Sequence, residues 1–204
     1  MEQIIEAVLS AIPKAGLVEV EVSARHVHLS TEDMEILFGK DAGLTYKRDL
    51  SQPGQFLAQE RVNLIGPKGR KDKVAVLGPV RKDTQVELSK SDCMELGVKA
   101  PVRESGNIED SGSILLEGPC GTLEITEGVI IAHRHIHVPQ DIAKTLGLRN
   151  KQKVSVQVFS ERPVILKDVI IRVSDMFRFR MHIDFDEANA AALNGFTLGR
   201  IIKE

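Results

Sequence analysis

The tetrapeptide Arg25-His26-Val27-His28 returns as Arg134-His135-Ile136-His137, and this duplication constrains the chain more than any other feature. Each copy follows a β-branched apolar run, residues 18–22 before the first and 129–131 before the second. Each is followed by a turn-forming residue (Ser30; Pro139), an acid (Asp33; Asp141) and a short helical pattern that stops at glycine (Gly39; Gly147). Of the six histidines, four lie in the two copies, His133 lies just upstream of the second, and His182 is the sixth. A chain written this way is expected to fold as two related units.

In a strand, residues i and i+2 point to the same face. His26 and His28 therefore present two imidazoles side by side, as do His135 and His137. Adjacent imidazoles on a rigid strand suit a borderline metal such as zinc. A single His-x-His reads more simply as two polar positions on a half-exposed strand. Two copies in matching contexts favour the metal.

Composition narrows the function. A length of 204 residues suits one large or two small domains, and 42% apolar with 27% charged residues is ordinary for a soluble globular protein. A net charge of −2 argues against a general nucleic-acid binder, and with no Trp and one Tyr a base-stacking platform is not expected. No apolar run reaches membrane-spanning length, and residues 1–15 lack the basic start of a secretory signal, so a cytoplasmic location and no membrane partner are expected. Cys93 and Cys120 have no CxxC spacing and read as reduced packing residues rather than ligands.

Along the chain, Ile4, Ile5, Val8, Leu9 and Ile12 follow the spacing of an amphipathic helix over residues 3–12, ended by Pro13 and Gly16. That helix packs either on its own domain or, as a docking peptide, on a partner. Residues 18–29 read as a strand carrying the first His pair, 31–38 as a helix capped by Ser30 or Thr31, and 48–56 as a loop. Strands follow at 61–65, 73–77 and 84–88, then a helix at 90–96, a polar stretch at 104–112, and strands at 113–116 and 121–125. The second half repeats the order: strand 129–138, helix 139–146, strands 154–159, 164–173 and 178–183, and helix 186–193. The expected fold is mainly β with short α-helices, as two tandem related β-barrels capped by those helices, or one intertwined barrel. The domain plan is 1–16 for the N-terminal helix, 17–124 for the first barrel and 125–204 for the second, with exchange of strands allowed.

Other residues are candidates on weaker grounds. His182 alternates with Arg180 and Asp184, so all three should share a face. Beside His135 and His137 it would make a three-His site with open positions; otherwise it is a hydrogen-bonded surface residue. Glu87 could complete a two-His-one-acid site with His26 and His28, although 29 acids compete for that role. Arg81 could clamp an oxyanion through its planar fork or be a surface arginine. Gly66-Pro67-Lys68-Gly69 lacks P-loop spacing and reads as a turn; GxGxxG and GxSxG do not occur.

Six stretches taken together carry a resemblance. They are Val22-Ser23-Ala24-Arg25-His26-Val27-His28-Leu29-Ser30, Ser51-Gln52-Pro53-Gly54-Gln55-Phe56, Leu77-Gly78-Pro79-Val80-Arg81, Pro101-Val102-Arg103-Glu104-Ser105-Gly106, Arg134-His135-Ile136-His137, and His182-Ile183-Asp184 with Asp186-Glu187-Ala188-Asn189-Ala190. In this order, over nearly the whole chain from about residue 17, they closely resemble the PduL-type phosphotransacylases, the phosphate propanoyltransferases. The resemblance implies a tandem β-barrel fold, two zinc ions per chain, and transfer of an acyl group between coenzyme A and inorganic phosphate. It implies His26, His28 and Glu87 as ligands of one zinc, His135, His137 and His182 as ligands of the other, and Arg81 as the phosphate contact. It places Val22, Ser23, Ala24, Lys68, Ala75 and Asn189 at the coenzyme A site, Ala75 through backbone or packing alone. Some family members carry an N-terminal peptide that directs packing into a bacterial microcompartment, so its shell or enzyme core becomes a candidate partner; a homo-oligomer is also expected.

The chemistry such a site would run is attack of a phosphate oxygen on the thioester of acetyl-CoA or propanoyl-CoA. Coenzyme A leaves as thiolate, zinc polarises the carbonyl and receives the thiolate, and Arg81 holds the phosphate in line. Direct displacement without an acyl-enzyme fits the lack of a Ser or Cys nucleophile motif. A zinc hydrolase of thioesters or phosphoesters, using metal-bound water, is the alternative enzyme, and a metal-binding assembly module is the non-enzymatic one.

Overall fold

The computed structural model describes Ala7 and residues 11–203. Most of the expected helix over 3–12, with its docking role, lies outside the described residues; residues 11–14 are helical, the Ala15 amide donating to the Ala11 carbonyl at 3.0 Å. In chain order the elements are β1 (Leu17–Val22), β2 (His26–His28), α1 (Thr31–Phe38), β3 (Tyr46–Asp49), β4 (Phe56–Ile65), β5 (Arg70–Gly78), β6 (Gln85–Glu87), α2 (Lys90–Leu96) and β7 (Val102–Arg103). Then follow β8 (Gly112–Glu117), β9 (Thr122–Ala132), β10 (His135–Val138), α3 (Gln140–Leu146), β11 (Lys153–Val158), β12 (Val164–Val173), β13 (Arg180–Ile183), α4 (Phe185–Ala190) and β14 (Leu198–Ile202). No helix among the described residues is long and apolar enough to cross a membrane.

The chain forms two units, one of residues 24–132 and one joining the residues up to 23 with those from 133 onward. In the first, β4, β5, β2, β6, β9 and β8 pair in that order and β8 closes back on β4; β3 extends from β4 and β7 from β9. In the second, β1, β13, β10, β12, β11 and β14 close a ring of the same kind. The protein is thus mostly β, two six-stranded barrels with short helices.

The rings match strand for strand. β2 pairs parallel with β5 and antiparallel with β6, and β10 pairs parallel with β12 and antiparallel with β13. β6 pairs parallel with β9 and β13 parallel with β1. The strand written immediately before each His motif therefore closes the barrel that holds the other motif. This breaks the single strands expected over 18–29 and 129–138. Ser23 ends the first by donating to the Ile183 carbonyl at 2.7 Å, while His26 and Val27 already pair with Ala75 and Val76. One continuous strand could not serve both sets of partners. The cut expected at 124/125 falls inside β9, and the chain passes between units at 23/24 and 132/133.

Alternation sorts side chains between core and outer face. Val27 and Leu29 enter the first core with Leu64, Val76, Val86 and Leu116. Ile136 and Val138 enter the second with Val18, Val20, Val156, Ile171, Met181 and Ile183. Each such side chain stabilises by about 1.5–3 kcal/mol when fully buried, and the histidines between them are turned to the opposite face. The caps follow sequence rules: the Ser30 side chain accepts from the Asp33 amide, and Ser89–Asp92 and Asp184–Glu187 form reciprocal capping boxes. Asp184 lies just past β13 as the N-cap of α4. The loop expected over 48–56 on its Ser51-Gln52-Pro53-Gly54 turn overlaps β3 at 48–49; β3 is exposed throughout, so no apolar alternation marks it in the sequence. Cys93 is buried in the first core as expected, whereas Cys120 is exposed and is not a packing residue.

Candidate metal and anion site

In the first barrel, His26 stands directly opposite Glu87 across the β2–β6 ladder, and His28 opposite Gln85. The ligand atoms of His26, His28 and Glu87 all lie within 4.8 Å of one another, and all three residues are buried. The two rings meet edge to face with centroids 4.9 Å apart, and His26 Nε2 lies 3.5 Å from Glu87 Oε2. Burial opposes charge on Glu87, yet His26 and His28 beside it, with the Ser105 hydroxyl, hold its carboxyl well below the usual carboxylate range. Burial, then the charges of His26 and Arg81, keep His28 well below the ordinary imidazole value. Against the burial penalty, the Glu87 carboxylate and the Ala24 carbonyl raise His26.

In the second barrel, the three imidazoles take the same register. His135 stands opposite His182 across β10–β13, so His182 holds the position Glu87 holds in the other ring. Ring centroids lie 4.7 Å apart for His135–His137, 5.3 Å for His135–His182 and 5.0 Å for His137–His182. Burial, then its His135 and His182 neighbours, push His137 down to about 2, so it is neutral and able to ligate.

Both sets share a hydrogen-bond signature that suits a metal. The first His of each pair places Nδ1 2.8 Å from the carbonyl two residues back, Ala24 for His26 and His133 for His135. A carbonyl only accepts, so Nδ1 carries a proton, and in the neutral ring Nε2 is the lone-pair atom. The second His of each pair, His28 and His137, keeps a buried Nδ1 without a hydrogen-bond partner among the described residues. Buried polar atoms are normally satisfied, so an unpartnered Nδ1 fits a bound cation, although the His28 ring also has a backbone hydrogen bond at Leu77. Among the described residues, His26, His28 and Glu87 are the group whose ligand atoms lie within 4.8 Å of one another. Histidine nitrogens with a carboxylate, and three histidine nitrogens, are both donor sets for zinc.

The motif arginines, unassigned from the sequence, anchor these strands. Arg25 donates through Nε to Asp92 Oδ1 at 2.9 Å, and Arg134 donates to Glu187 Oε1. Asp92 and Glu187 occupy the same place in the capping boxes of α2 and α4, the helices that follow β6 and β13. The duplication includes the arginine, and each copy ties its His strand to the helix after the strand that carries Glu87 or His182. Glu21 also escaped the sequence reading. It is paired in register with His182, its Oε2 is buried without a partner among the described residues, and the matching position of the first barrel, beside Glu87, is Ile130.

Arg81 donates through Nη1 to Ser105 Oγ at 3.1 Å, and its amide donates to the Leu29 carbonyl at 2.9 Å, one residue beyond the His strand. Its positive charge is felt by both His26 and His28. A guanidinium beside a buried cation site is an arrangement for an anion that must touch both. Of the residues implied at a coenzyme A site, Val22, Ser23 and Asn189 belong to the second unit, and Ala24, Lys68 and Ala75 to the first. Val22 pairs with Ile183, Asn189 is exposed on α4, and Ala75 stands beside His26 in register. Lys68 is exposed on the β4–β5 turn, its amide donating to the Leu96 carbonyl at 3.0 Å.

A family model described as phosphate propanoyltransferase matches residues 19–194. A phosphate propanoyltransferase of Clostridioides difficile (strain 630) is 45% identical over all of this chain and 98% of its own length. One from Leptotrichia buccalis is 52% identical over 90% of this chain and 87% of its own, and one from Thermotoga maritima is 50% identical over 90% and 88%. The chain belongs to the phosphate propanoyltransferase family.

Proposed function

We propose, taking that membership as the premise, that this phosphate acyltransferase interconverts a short acyl-CoA plus phosphate with an acyl phosphate plus coenzyme A, and that zinc is its resident metal. The observation that carries the reading is the buried convergence of His26, His28 and Glu87 with Arg81 beside them. His26, His28 and Glu87 would hold one ion, and His135, His137 and His182 a second. Zinc, when bound, supplies Lewis acidity toward a thioester carbonyl and a thiolate. Arg81 binds the phosphate by paired hydrogen bonds and offsets its charge while one phosphate oxygen forms the bond to the acyl carbon. The carbon–sulfur bond breaks in the same exchange and the sulfur leaves with the electron pair, so no side chain carries the acyl group. Val22, Ser23, Ala24, Lys68, Ala75 and Asn189 are the proposed contacts of coenzyme A. Acetyl and propanoyl differ by one methylene, worth about 1–3 kcal/mol in an apolar pocket, so both are substrates to test.

The test is turnover of acetyl-CoA and propanoyl-CoA with and without phosphate, before and after removal of metal by a chelator. Phosphate-dependent thiol release with trapping of acyl phosphate, abolished by chelation and restored by zinc, is expected. Release that needs only water would make the protein a hydrolase. Ping-pong kinetics with a trapped acylated residue would exclude direct displacement.

A further inference from the structure

We propose that Gln85 and Ser105 are positioning residues that join the anion-binding Arg81 to the metal-binding Glu87 in one hydrogen-bonded unit. This rests on the roles just given to Arg81 and Glu87. Gln85 Nε2 donates to Glu87 Oε1 at 2.7 Å and to Ser105 Oγ at 2.9 Å, and the Gly106 amide donates to Gln85 Oε1 at 2.7 Å. The Gly106 amide can only donate, so Gln85's oxygen must face it and its two N–H groups must face Glu87 and Ser105. Ser105 Oγ accepts from Gln85 and from Arg81 Nη1 at 3.1 Å, filling both lone pairs. Its single hydrogen is then left for the Glu87 carboxylate, to which it hydrogen-bonds.

Every donor and acceptor in this chain of contacts has one consistent direction. The carboxylate receives Gln85 on Oε1 while Oε2 turns to His26. Gln85 is buried and lies opposite His28 in register, so the network occupies the face of the ligands. Ser105 reaches it from the loop after β7. The other barrel is an internal control. The position opposite His137 is Arg180, which pairs with Glu19, so the repeat keeps the ligand positions but builds this orienting unit once. Its function is to fix the distance and direction between phosphate and metal, the quantity on which in-line attack depends.

The experiment uses the full-length, zinc-loaded protein and three variants, Ser105→Ala, Ser105→Thr and Gln85→Met. Zinc affinity is read by competition with a chromogenic chelator, the Michaelis constants for phosphate and acyl-CoA separately, and folding by thermal melting. Ser105→Ala should raise the Michaelis constant for phosphate by about tenfold and weaken one zinc by a similar factor, leaving that for acyl-CoA unchanged, with Ser105→Thr restoring both. Gln85→Met, which keeps the shape and loses the donors, should weaken the same zinc by about 10–100-fold. Ser105 is only half-buried, so Ser105→Ala tests the idea even if Gln85→Met fails to fold. Wild-type zinc affinity and phosphate kinetics in Ser105→Ala would overturn the proposal. Wild-type protein that binds no zinc, or an Arg81→Lys variant with unchanged phosphate kinetics, would instead overturn the parent reading, and this one with it.

Discussion

Arg25 and Asp92 bind each other within the first unit, Arg25 Nη2 lying 2.8 Å from the Asp92 Oδ1 that also accepts from its Nε. Asp92 is almost wholly buried and closes the capping box of α2, so one carboxylate holds a helix end to the arginine that precedes the His26–His28 strand. Lys71 adds a third contact at 3.4 Å.

Burial alone would raise the Asp92 carboxyl, but Arg25, the Ser89 amide and Lys71 hold it below its ordinary value. A carboxyl whose folded-state value lies below its unfolded one stabilises fully above the unfolded value and loses that contribution as pH falls through the folded one. Asp92→Asn should therefore cost roughly 1–3 kcal/mol at about pH 7, and the gap to wild type should close under acid. Denaturant melts at a series of pH values measure it; a gap that stays constant down to about pH 3 would contradict the linkage.

Removing a ligand should remove a metal. His26→Ala and His135→Ala should each lose about one equivalent of zinc and most activity, since each takes one of three protein donors from its own barrel. Elemental analysis that finds both variants fully loaded would refute the two donor sets.

Arg81→Lys keeps the charge and loses the fork. The efficiency with phosphate should fall by about 10–1000-fold, with zinc content and coenzyme A affinity little changed. Normal phosphate kinetics with weakened coenzyme A binding would assign the residue to the other substrate.

The Gly66-Pro67-Lys68-Gly69 turn owes its first glycine to packing. A Cβ on Gly66 would stand 2.2 Å from the Leu96 carbonyl oxygen at the end of α2, a backbone atom that cannot swing aside. Gly66→Ala should lower stability by about 1–3 kcal/mol while the folded fraction keeps its phosphate kinetics. A variant that melts like wild type but binds phosphate poorly would mean that the turn serves the anion after all.

Much of the site was legible because its chemistry is local. His26 with His28, and His135 with His137, are paired by the two-residue period of a strand, and helix 31–38 was bounded by its Ser30 cap and the Gly39 stop. Glu87 and His182 were candidates on residue type, and their equivalence became visible only when register set each opposite the first histidine of its pair. Gln85 was invisible, since a glutamine two positions from a glutamate carries no pattern until Ser105 and Gly106 arrive from another loop.

The sequence by itself determined that there are two units of one design, because apolar alternation, caps and the Arg-His-x-His repeat are read from neighbours along the chain. Which strands close which barrel was decided by tertiary structure alone. A parallel ladder such as Val20 with Met181 or Val86 with Val129 joins residues far apart in the chain. Backbone hydrogen bonds carry no residue code, so the partner is chosen by which ring can close around a packed core. That choice put β1 beside His182 and β9 beside Glu87, each in the ring that holds the other histidine pair.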